Sequence, residues 1–339
     1  MMNAAIRPGA GVLGLPATDI GAVVSGAVVA DAVIMGLPFD AGVTGVPGQR
    51  HGPEIFRGLS PSHDWSLDDS GVLGGLIDPL TGGPVLSGCR VFDLGDLGGV
   101  PIDPRVERNA YYRALTTLTQ QLAKTSAIPL FIGGDHSVSA PIAAGLAAEH
   151  GPVHVVCFDA HCDFSTRPMP ALADITHGDF LGHLFQAGVV TGCELYGVRT
   201  YLPASCGPLP DNLRCAYEYG FAEPSKVPDD YRDHGSSRAH GGEDNCEEGR
   251  PTYLSIDLDV IDPTEFPATG HPEAGGYRLR ELLAAVQHVC RTRRVVAVDI
   301  VEALQDDREN RATSATISAL VMRCLRTLLE SDQGRVRTQ

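Results

Sequence analysis

Three short runs of the chain combine imidazole and carboxylate side chains at spacings that suit metal binding. They are Gly-Gly-Asp-His-Ser at 133–137, Asp-Ala-His-Cys-Asp at 159–163 and Asp-Leu-Asp-Val-Ile-Asp-Pro at 257–263. Each run follows an apolar stretch typical of a strand, at 129–132, 153–158 and 252–256. Alternate residues of an extended segment share a face, so Asp159, His161 and Asp163 project to one side, as do Asp257 and Asp259.

The strand ends are expected to bring these runs together, because open parallel sheets place their ligand sites at the carboxyl ends of the strands. Two imidazoles and four carboxylates would meet there: His136, Asp159, His161, Asp163, Asp257 and Asp259. Such a set would repel itself unless cations lay between its members. Two divalent metals would satisfy it, and its many oxygens and few nitrogens suit Mn²⁺ better than structural Zn²⁺. A water shared by two metals ionises near neutral pH, so the sequence predicts a dinuclear metallohydrolase.

Other catalytic motifs do not compete with this prediction. The glycines at 133–134 lack the Lys and the spacing of a P-loop, and no G-x-G-x-x-G run followed by a helix is predicted. The sequence also contains no G-x-S-x-G elbow. These observations argue against a nucleotide-phosphate site and against a serine nucleophile.

Strand-like runs alternate with helix-like runs through most of the chain, which predicts an α/β fold with a mostly parallel sheet covered by helices. The predicted strands are 32–36, 91–94, 129–132, 153–158, 193–198, 252–256 and 295–300. The predicted helices are 105–127, 140–149, 179–187, 280–292 and 313–329. The last of these begins with a Thr-rich segment and carries apolar residues at helical spacing.

Three segments fit this alternation less well. Residues 40–60 carry Gly, Pro and Arg and are predicted as loop until a helical turn at 54–59. Residues 224–250 are rich in Asp, Glu, Gly, Ser and Pro and show neither the helical nor the strand periodicity of apolar residues, so we expect a mobile loop there. Residues 1–30 are assigned loosely as an N-terminal extension of a single domain that spans 1–339.

The composition limits the partners and the compartment. Lys and Arg number 26 against 42 Asp and Glu, for a formal net charge of −16, which argues against nucleic acid and favours a small cationic substrate. The nine cysteines are odd in number and form no C-x-x-C pair, so we expect reduced thiols in a cytoplasmic protein. The N-terminus has no signal-peptide pattern, and no apolar run is long enough to span a membrane.

The three polar runs, in this order, resemble the signature of the ureohydrolase family of arginase and agmatinase. The resemblance covers 32–329, nearly the whole chain, and the three motifs together are highly specific. It implies a three-layer α/β/α fold around a mostly parallel sheet. It also implies two Mn²⁺ ions per chain and a homo-oligomer, either a trimer or a hexamer.

The resemblance further implies how the six ligands divide between the metals. His136, Asp159, Asp163 and Asp257 would hold one metal ion. His161 and Asp259 would complete the other site, with Asp159 and Asp257 bridging the two metals. Asp163 would also accept a hydrogen bond from the bridging hydroxide, which gives it a catalytic role.

Two further residues resemble catalytic residues of the family. His177, in Thr-His-Gly at 176–178, matches the proton-shuttling histidine, and its unperturbed pKa near working pH would let it protonate the leaving amine. Glu302, in Asp-Ile-Val-Glu at 299–302, matches the glutamate that pairs with the substrate guanidinium. A carboxylate complements that planar fork with charge-assisted hydrogen bonds.

The region 36–57 is similar to the N-terminal signature of the agmatinase branch. Arginases recognise the α-amino and α-carboxyl groups of arginine through a polar loop, which residues 164–175 replace with Arg167, two prolines and apolar side chains. Asp179 and His271 also depart from the family pattern, near the expected substrate mouth. These changes leave the six ligand positions intact, which favours retained chemistry on an altered substrate.

The resemblance therefore implies a hydrolase that acts on C–N bonds of linear amidines. Its expected reaction is the manganese-dependent cleavage of agmatine, or of a larger guanidino metabolite, to urea and a primary amine. Two alternatives remain open: formimino or amide hydrolysis at the same metal pair, and a non-catalytic relative.

Overall fold

An eight-stranded parallel sheet organises the computed structural model, which describes residues 11–98, 104–169, 171–216, 249–305 and 310–332. Its strands are β1 (Ala32–Gly36), β4 (Val91–Asp96), β5 (Ile128–Ile132), β6 (Val153–Phe158), β7 (Val190–Tyr196), β8 (Leu213–Ala216), β9 (Pro251–Asp257) and β10 (Arg294–Val301). They lie in the order β4-β1-β5-β10-β9-β6-β7-β8, and every adjacent pair is parallel. A separate antiparallel hairpin joins β2 (Leu76–Ile77) to β3 (Pro84–Val85).

The seven predicted strands are confirmed, because central parallel strands are covered on both faces and therefore read as continuous apolar runs. The sequence did not predict β8 or the hairpin. Among the described residues the edge strand β8 pairs with β7 alone, and half of it is exposed, at Arg214 and Cys215. The hairpin strands are two residues long, which is too short for any period to show.

Helices cover both faces of the sheet, so the predicted three-layer α/β/α class is confirmed. The described helices are α1 (Ile20–Val24), α2 (Gly52–Leu59), α3 (Pro104–Ala123), α4 (Ser139–His150), α5 (Phe180–Ala187), α6 (Leu279–Thr292) and α7 (Asn310–Asp332). On one face α2, α6 and α7 share a core with Leu130 and Val156. On the other face α1, α3, α4 and α5 share a core with Phe131 and Val155. The alternation of neighbouring residues between the two cores follows from the period of two in a strand.

The segment before β1 packs against the domain as far as it is described. Val12, Leu13 and Leu15 are buried, and Asp93 of β4 exchanges backbone hydrogen bonds with residues 16 and 18. The Arg57 guanidinium pairs with Asp93 at 2.5 Å and with Asp96 at 2.6 Å, which ties α2 to the same strand. The region expected to form a mobile loop, 224–250, lies outside the described residues except for its last two positions.

In the part of the chain that the structure describes, no helix has the length and apolar character needed to cross a membrane.

Candidate metal centre

The six predicted ligands meet at the carboxyl edge of the sheet, above four adjacent strands. His136 begins a short 3-10 turn four residues after β5, and the side chain of Asp135 caps that turn by accepting the Ser137 N–H at 2.9 Å. Asp159 follows β6 directly, and Asp257 is the last residue of β9. Since β10 and β9 lie between β5 and β6, the fold itself brings together residues that are far apart in the chain.

Four of the six residues form an inner cluster: His136, Asp159, Asp163 and Asp257. The His136 Nδ1 atom lies 3.1 Å from one carboxylate oxygen of each of the three acids. All four ligand atoms lie within 4.8 Å of one another. The four side chains are buried, so bulk water does not screen their charges.

The hydrogen bonds around His136 show that the inner cluster fits a cation. The Ser255 hydroxyl donates to Asp299 Oδ1 at 2.7 Å, so it accepts from the His136 Nε2–H at 2.9 Å. In the neutral ring, the Nδ1 atom then carries a lone pair that faces carboxylate oxygens. Although they are 3.1 Å apart, neither this Nδ1 nor Asp159 Oδ2 makes a hydrogen bond with acceptable geometry. Converging lone pairs of this kind are satisfied by a metal ion.

The remaining two ligands, His161 and Asp259, form an outer cluster together with Asp159. The His161 Nδ1 atom lies 2.8 Å from Asp259 Oδ2 and 3.6 Å from Asp159 Oδ1. Asp159 therefore belongs to both clusters, one oxygen to each. The second oxygen of Asp257, Oδ1, accepts the backbone N–H of Asp259 at 2.8 Å.

The electrostatics of the ligand side chains follow from this crowding. Burial and the charge of Asp159 raise the pKa of Asp163 from 3.8 to about 7. Burial also raises the pKa values of Asp257 and Asp259. Although burial opposes ionisation of Asp159 too, its contacts with the two imidazoles lower its pKa. Protein groups alone thus keep one carboxylate ionised and leave the others competing with protons, which bound metals would displace.

A second buried pair, His177 and Glu302, lies beside the inner cluster. Glu302 Oε1 accepts from His177 Nδ1 at 3.1 Å and from the backbone N–H of His136 at 2.8 Å, while Oε2 accepts from Gln49 Nε2 at 3.0 Å. Burial alone would lower the pKa of His177, but Glu302 raises it to about 9. The predicted shuttle and the predicted guanidinium partner are therefore hydrogen-bonded to each other. Thr44 contacts the other nitrogen, His177 Nε2.

Backbone strain coincides with two of the predicted site residues. Asp163 has φ of 43° and Glu302 has φ of 65°, in the left-handed region that residues with a Cβ seldom adopt. Hydrogen bonds hold both conformations, since Glu302 N–H donates to Gly134 O at 2.9 Å and Asp163 O accepts from Leu181 N–H at 3.1 Å. Strain of this kind clusters at functional sites.

Asp179 and His271, the two residues that depart from the family pattern near the expected substrate mouth, have different surroundings. Asp179 faces away from the metal ligands: it accepts from Arg167 at 2.5 Å and from the Thr176 N–H at 2.7 Å. The Arg167 cation is therefore already paired. His271 lies in the mouth, with its ring 5.1 Å from that of His177 and 6.0 Å from that of His161.

Sequence reasoning gave no role to four residues that support the site. They are Thr44, Gln49, Ser255 and Asp299. Asp299 offered a signal, because it is a single acid inside the apolar run of β10, and it is fully buried there. It accepts from Ser139 at 2.5 Å and from Tyr253 as well as from Ser255. Thr44 and Gln49 lie in a predicted loop and offered no signal.

Comparisons with known proteins agree with the fold and with the family that the three motifs resemble. The family model described as "Arginase family" matches residues 30–326. Proclavaminate amidinohydrolase from Streptomyces clavuligerus is 32% identical over 265 residues, which cover 76% of this chain and 76% of that protein. A putative agmatinase from Schizosaccharomyces pombe is 29% identical over 293 residues, covering 80% of this chain and 70% of that one.

A solved structure is similar over nearly the full length. The proclavaminate amidino hydrolase structure superposes with a TM-score of 0.70 at 26% identity, covering 97% of this chain and 99% of that one. The match of the family model to most of the chain confirms the resemblance inferred from the three motifs. The chain belongs to the arginase family.

Proposed function

We propose that the protein hydrolyses the guanidino group of a small cationic substrate to urea and a primary amine, with two Mn²⁺ ions. One observation carries the proposal: His136 Nδ1 lies 3.1 Å from three buried carboxylates and makes no hydrogen bond of good geometry among the described residues. The relatives named above carry the names of an amidinohydrolase and an agmatinase, which supports guanidino C–N hydrolysis in this chain.

The ligands would divide as the two clusters do. His136, Asp159, Asp163 and Asp257 would hold the inner metal, and His161 and Asp259 would complete the outer site, with Asp159 and Asp257 serving both. Bound there, the metals would lower the pKa of a water enough to supply a hydrolytic nucleophile near neutral pH. The oxygen-rich donor set supports Mn²⁺ over Zn²⁺.

His177 would act as the general acid toward the leaving amine. Its Nδ1 is held by Glu302 at 3.1 Å, so the ring is oriented and its Nε2 is the nitrogen available for proton transfer. Because His177 is buried beside Glu302, its raised pKa of about 9 keeps a proton on the ring at neutral pH.

Glu302 would contribute negative charge to guanidinium binding, but with one acceptor position rather than two. Its Oε1 already accepts two hydrogen bonds, and Oε2 accepts one from Gln49. A carboxylate oxygen offers two acceptor positions, so Oε2 retains one among the described residues. A guanidinium would therefore make a single bond to Glu302 while His177 stays in place.

The part of the substrate beyond the guanidino group would be selected at the mouth. We expect residues 40–60, residues 164–175 and His271 to make this selection. Asp179 balances the charge of Arg167, and the Asp174 carbonyl accepts from the same nitrogen, which weakens the attraction of Arg167 for an α-carboxylate. We expect free arginine to be a poor substrate.

Urea release over a panel of guanidines tests this function. Purified protein loaded with Mn²⁺ would be assayed with agmatine, 4-guanidinobutyrate, 3-guanidinopropionate, arginine and bulkier guanidino amines, with bound metal measured on the same sample. We expect two metals per chain and urea from at least one non-arginine guanidine. Arginine as the best substrate would overturn the agmatinase-like assignment. Formamide or ammonia without urea would favour formimino or amide hydrolysis, and bound metals without any product would favour a non-catalytic relative.

The proposal includes an assembly and a compartment that the chain's own contacts do not test. We expect a homo-oligomer of trimeric or hexameric size, acting in the cytoplasm. Analytical ultracentrifugation of the Mn²⁺-loaded protein and microscopy of the tagged protein measure these two properties.

A further inference from the structure

The outward nitrogen of His177 is held by a loop that the proposed chemistry does not otherwise use. The Thr44 hydroxyl lies 2.9 Å from His177 Nε2, and the Thr44 backbone N–H donates to the same atom at 3.2 Å. Thr44 is exposed whereas His177 is buried. Thr44 therefore stands between the proposed acid and the solvent.

The hydrogen bonds around the ring define its protonation pattern. Glu302 Oε1 only accepts, so the His177 Nδ1 that faces it carries a hydrogen. A backbone N–H only donates, so the Nε2 that faces Thr44 N–H accepts. When the ring is neutral, these two contacts select the Nδ1–H tautomer, in which Nε2 presents a lone pair.

The two groups of Thr44 respond differently when Nε2 gains a proton. The backbone N–H can no longer bond to the protonated nitrogen, whereas the hydroxyl can rotate and accept from it. Only the hydroxyl stays compatible with both states of His177. An acid that cycles between protonated and neutral forms is thus held in place by the side chain of Thr44 and not by its backbone.

The path of the loop shows that this contact is built into the fold. Gly42 N–H donates to Asp135 Oδ2 at 2.7 Å, and Gly42 O accepts the His177 backbone N–H at 3.0 Å. A Cβ at position 42 would lie 2.2 Å from Ser137 Oγ, and a Cβ at Gly45 would lie 2.6 Å from the His271 ring. The backbone on both sides of Thr44 therefore passes closer to its neighbours than any side chain would allow.

We infer that Thr44 is a positioning residue for His177, whose hydroxyl orients the ring through Nε2 in both of its protonation states until the leaving amine replaces the hydroxyl as acceptor of the Nε2 proton. This inference rests on the proposed hydrolase function for its kinetic consequence. Its structural consequence, which is the tautomer of the neutral His177 ring, can be tested without that function.

Substitutions at Thr44 test the kinetic consequence. Thr44→Val keeps the shape and the backbone but removes the hydroxyl, and a misdirected general acid should lower kcat by about 10²-fold while KM changes little. Thr44→Ser keeps the hydroxyl and should restore most of kcat. Thr292→Val is the matched control, because it removes a hydroxyl that bonds the His288 carbonyl at the end of α6 without touching His177 or a proposed metal ligand. Wild-type kcat in Thr44→Val, or equal losses in the Val and Ser variants, would overturn the inference.

The tautomer is measured independently of turnover. Long-range ¹H–¹⁵N spectra of histidine-labelled protein with diamagnetic Mg²⁺ would be followed to the alkaline limit, with His177 assigned by its absence in His177→Asn. We expect an Nδ1–H ring in the wild type, in Thr44→Ser and in Thr44→Val, because Glu302 and the Thr44 backbone N–H are unchanged in all three. An Nε2–H ring in the wild type would refute the inference even if urea is released. An Nδ1–H ring in a protein that releases no urea would support it while the proposed function fails.

Discussion

The inner and outer clusters of the metal centre have similar ligands but different surroundings. His136 is fully buried, and its Nε2 is held by Ser255, which is held in turn by Asp299. The side chain of His161 is 25% exposed, and its Nε2 lies 3.8 Å from Glu273 Oε1, on a side chain that is 42% exposed. Partners outside the ligand shell fix the orientation and basicity of a metal-binding histidine. The inner cluster is therefore preorganised, whereas the outer cluster is adjustable and open to substrate.

The largest effect should come from the one residue that both clusters share. Asp159→Ala should release both metals and lower turnover by roughly 10³-fold or more, because the metals supply several kcal/mol of charge stabilisation. Asp259→Ala removes an outer ligand only, so the protein should keep one metal per chain. Metal content by mass spectrometry, with circular dichroism as a fold control, measures this. Two metals retained in Asp159→Ala would contradict the dinuclear site.

His177→Asn provides the complementary case, in which catalysis fails while both clusters stay loaded. Loss of a general acid costs about 10²–10⁴-fold in rate, so kcat should fall by that factor at unchanged metal content. Measuring kcat and the amount of bound Mn²⁺ on the same preparation tests this expectation. An unchanged rate on a substrate with a poor amine leaving group would remove His177 from the proton-transfer role.

Substituting the residue that contacts the Nε2 atom of each histidine should change the metal affinities of the two clusters by different amounts. Ser255→Ala leaves His136 Nε2–H without its acceptor and should weaken the inner metal by about 10–100-fold. Glu273→Gln alters only a distant, exposed partner of His161, so the affinity of the outer metal should barely change. Mn²⁺ titrations followed by electron paramagnetic resonance measure both. Equal losses in the two variants would show that the clusters are supported alike.

The smallest effect concerns the stability of the metal-free protein. The pKa of Asp163 is about 7 in the folded chain against 3.8 ordinarily, and the pKa values of Asp257 and Asp259 are also raised. Folded protein then binds more protons than unfolded protein between pH of about 4 and 7, so the free energy of unfolding falls as pH rises through that window. For Asp163 alone, the slope is at most about 1.4 kcal/mol per pH unit.

Urea denaturation at several pH values, with and without Mn²⁺, measures this dependence. Bound metal should abolish the decline by keeping the carboxylates ionised and paired. Asp163→Asn imitates the protonated acid and should flatten the metal-free curve. Metal-free stability that rises between pH 5 and 7 would contradict the crowding of the inner cluster.

The sequence alone predicted the sheet and the ligands for one shared reason. Central parallel strands are apolar along their whole length, and polar residues at their ends are therefore conspicuous. This contrast is why the pattern of residues was enough to assign His136, Asp159 and Asp257 to one edge of the sheet. The strand β8, which is short and partly exposed, lacks that contrast and was missed.

The sequence by itself thus determined the fold class, the family and the chemical character of the site. Only the tertiary structure decided which atoms meet: that Asp159 serves both clusters, that Ser255 and Asp299 direct His136, and that Thr44 holds a nitrogen 133 residues away. Hydrophobic periodicity specifies which face a side chain occupies, but a hydrogen bond depends on backbone approach to within a few tenths of an ångström. That precision comes from the packing of distant segments, which no local pattern of residues records.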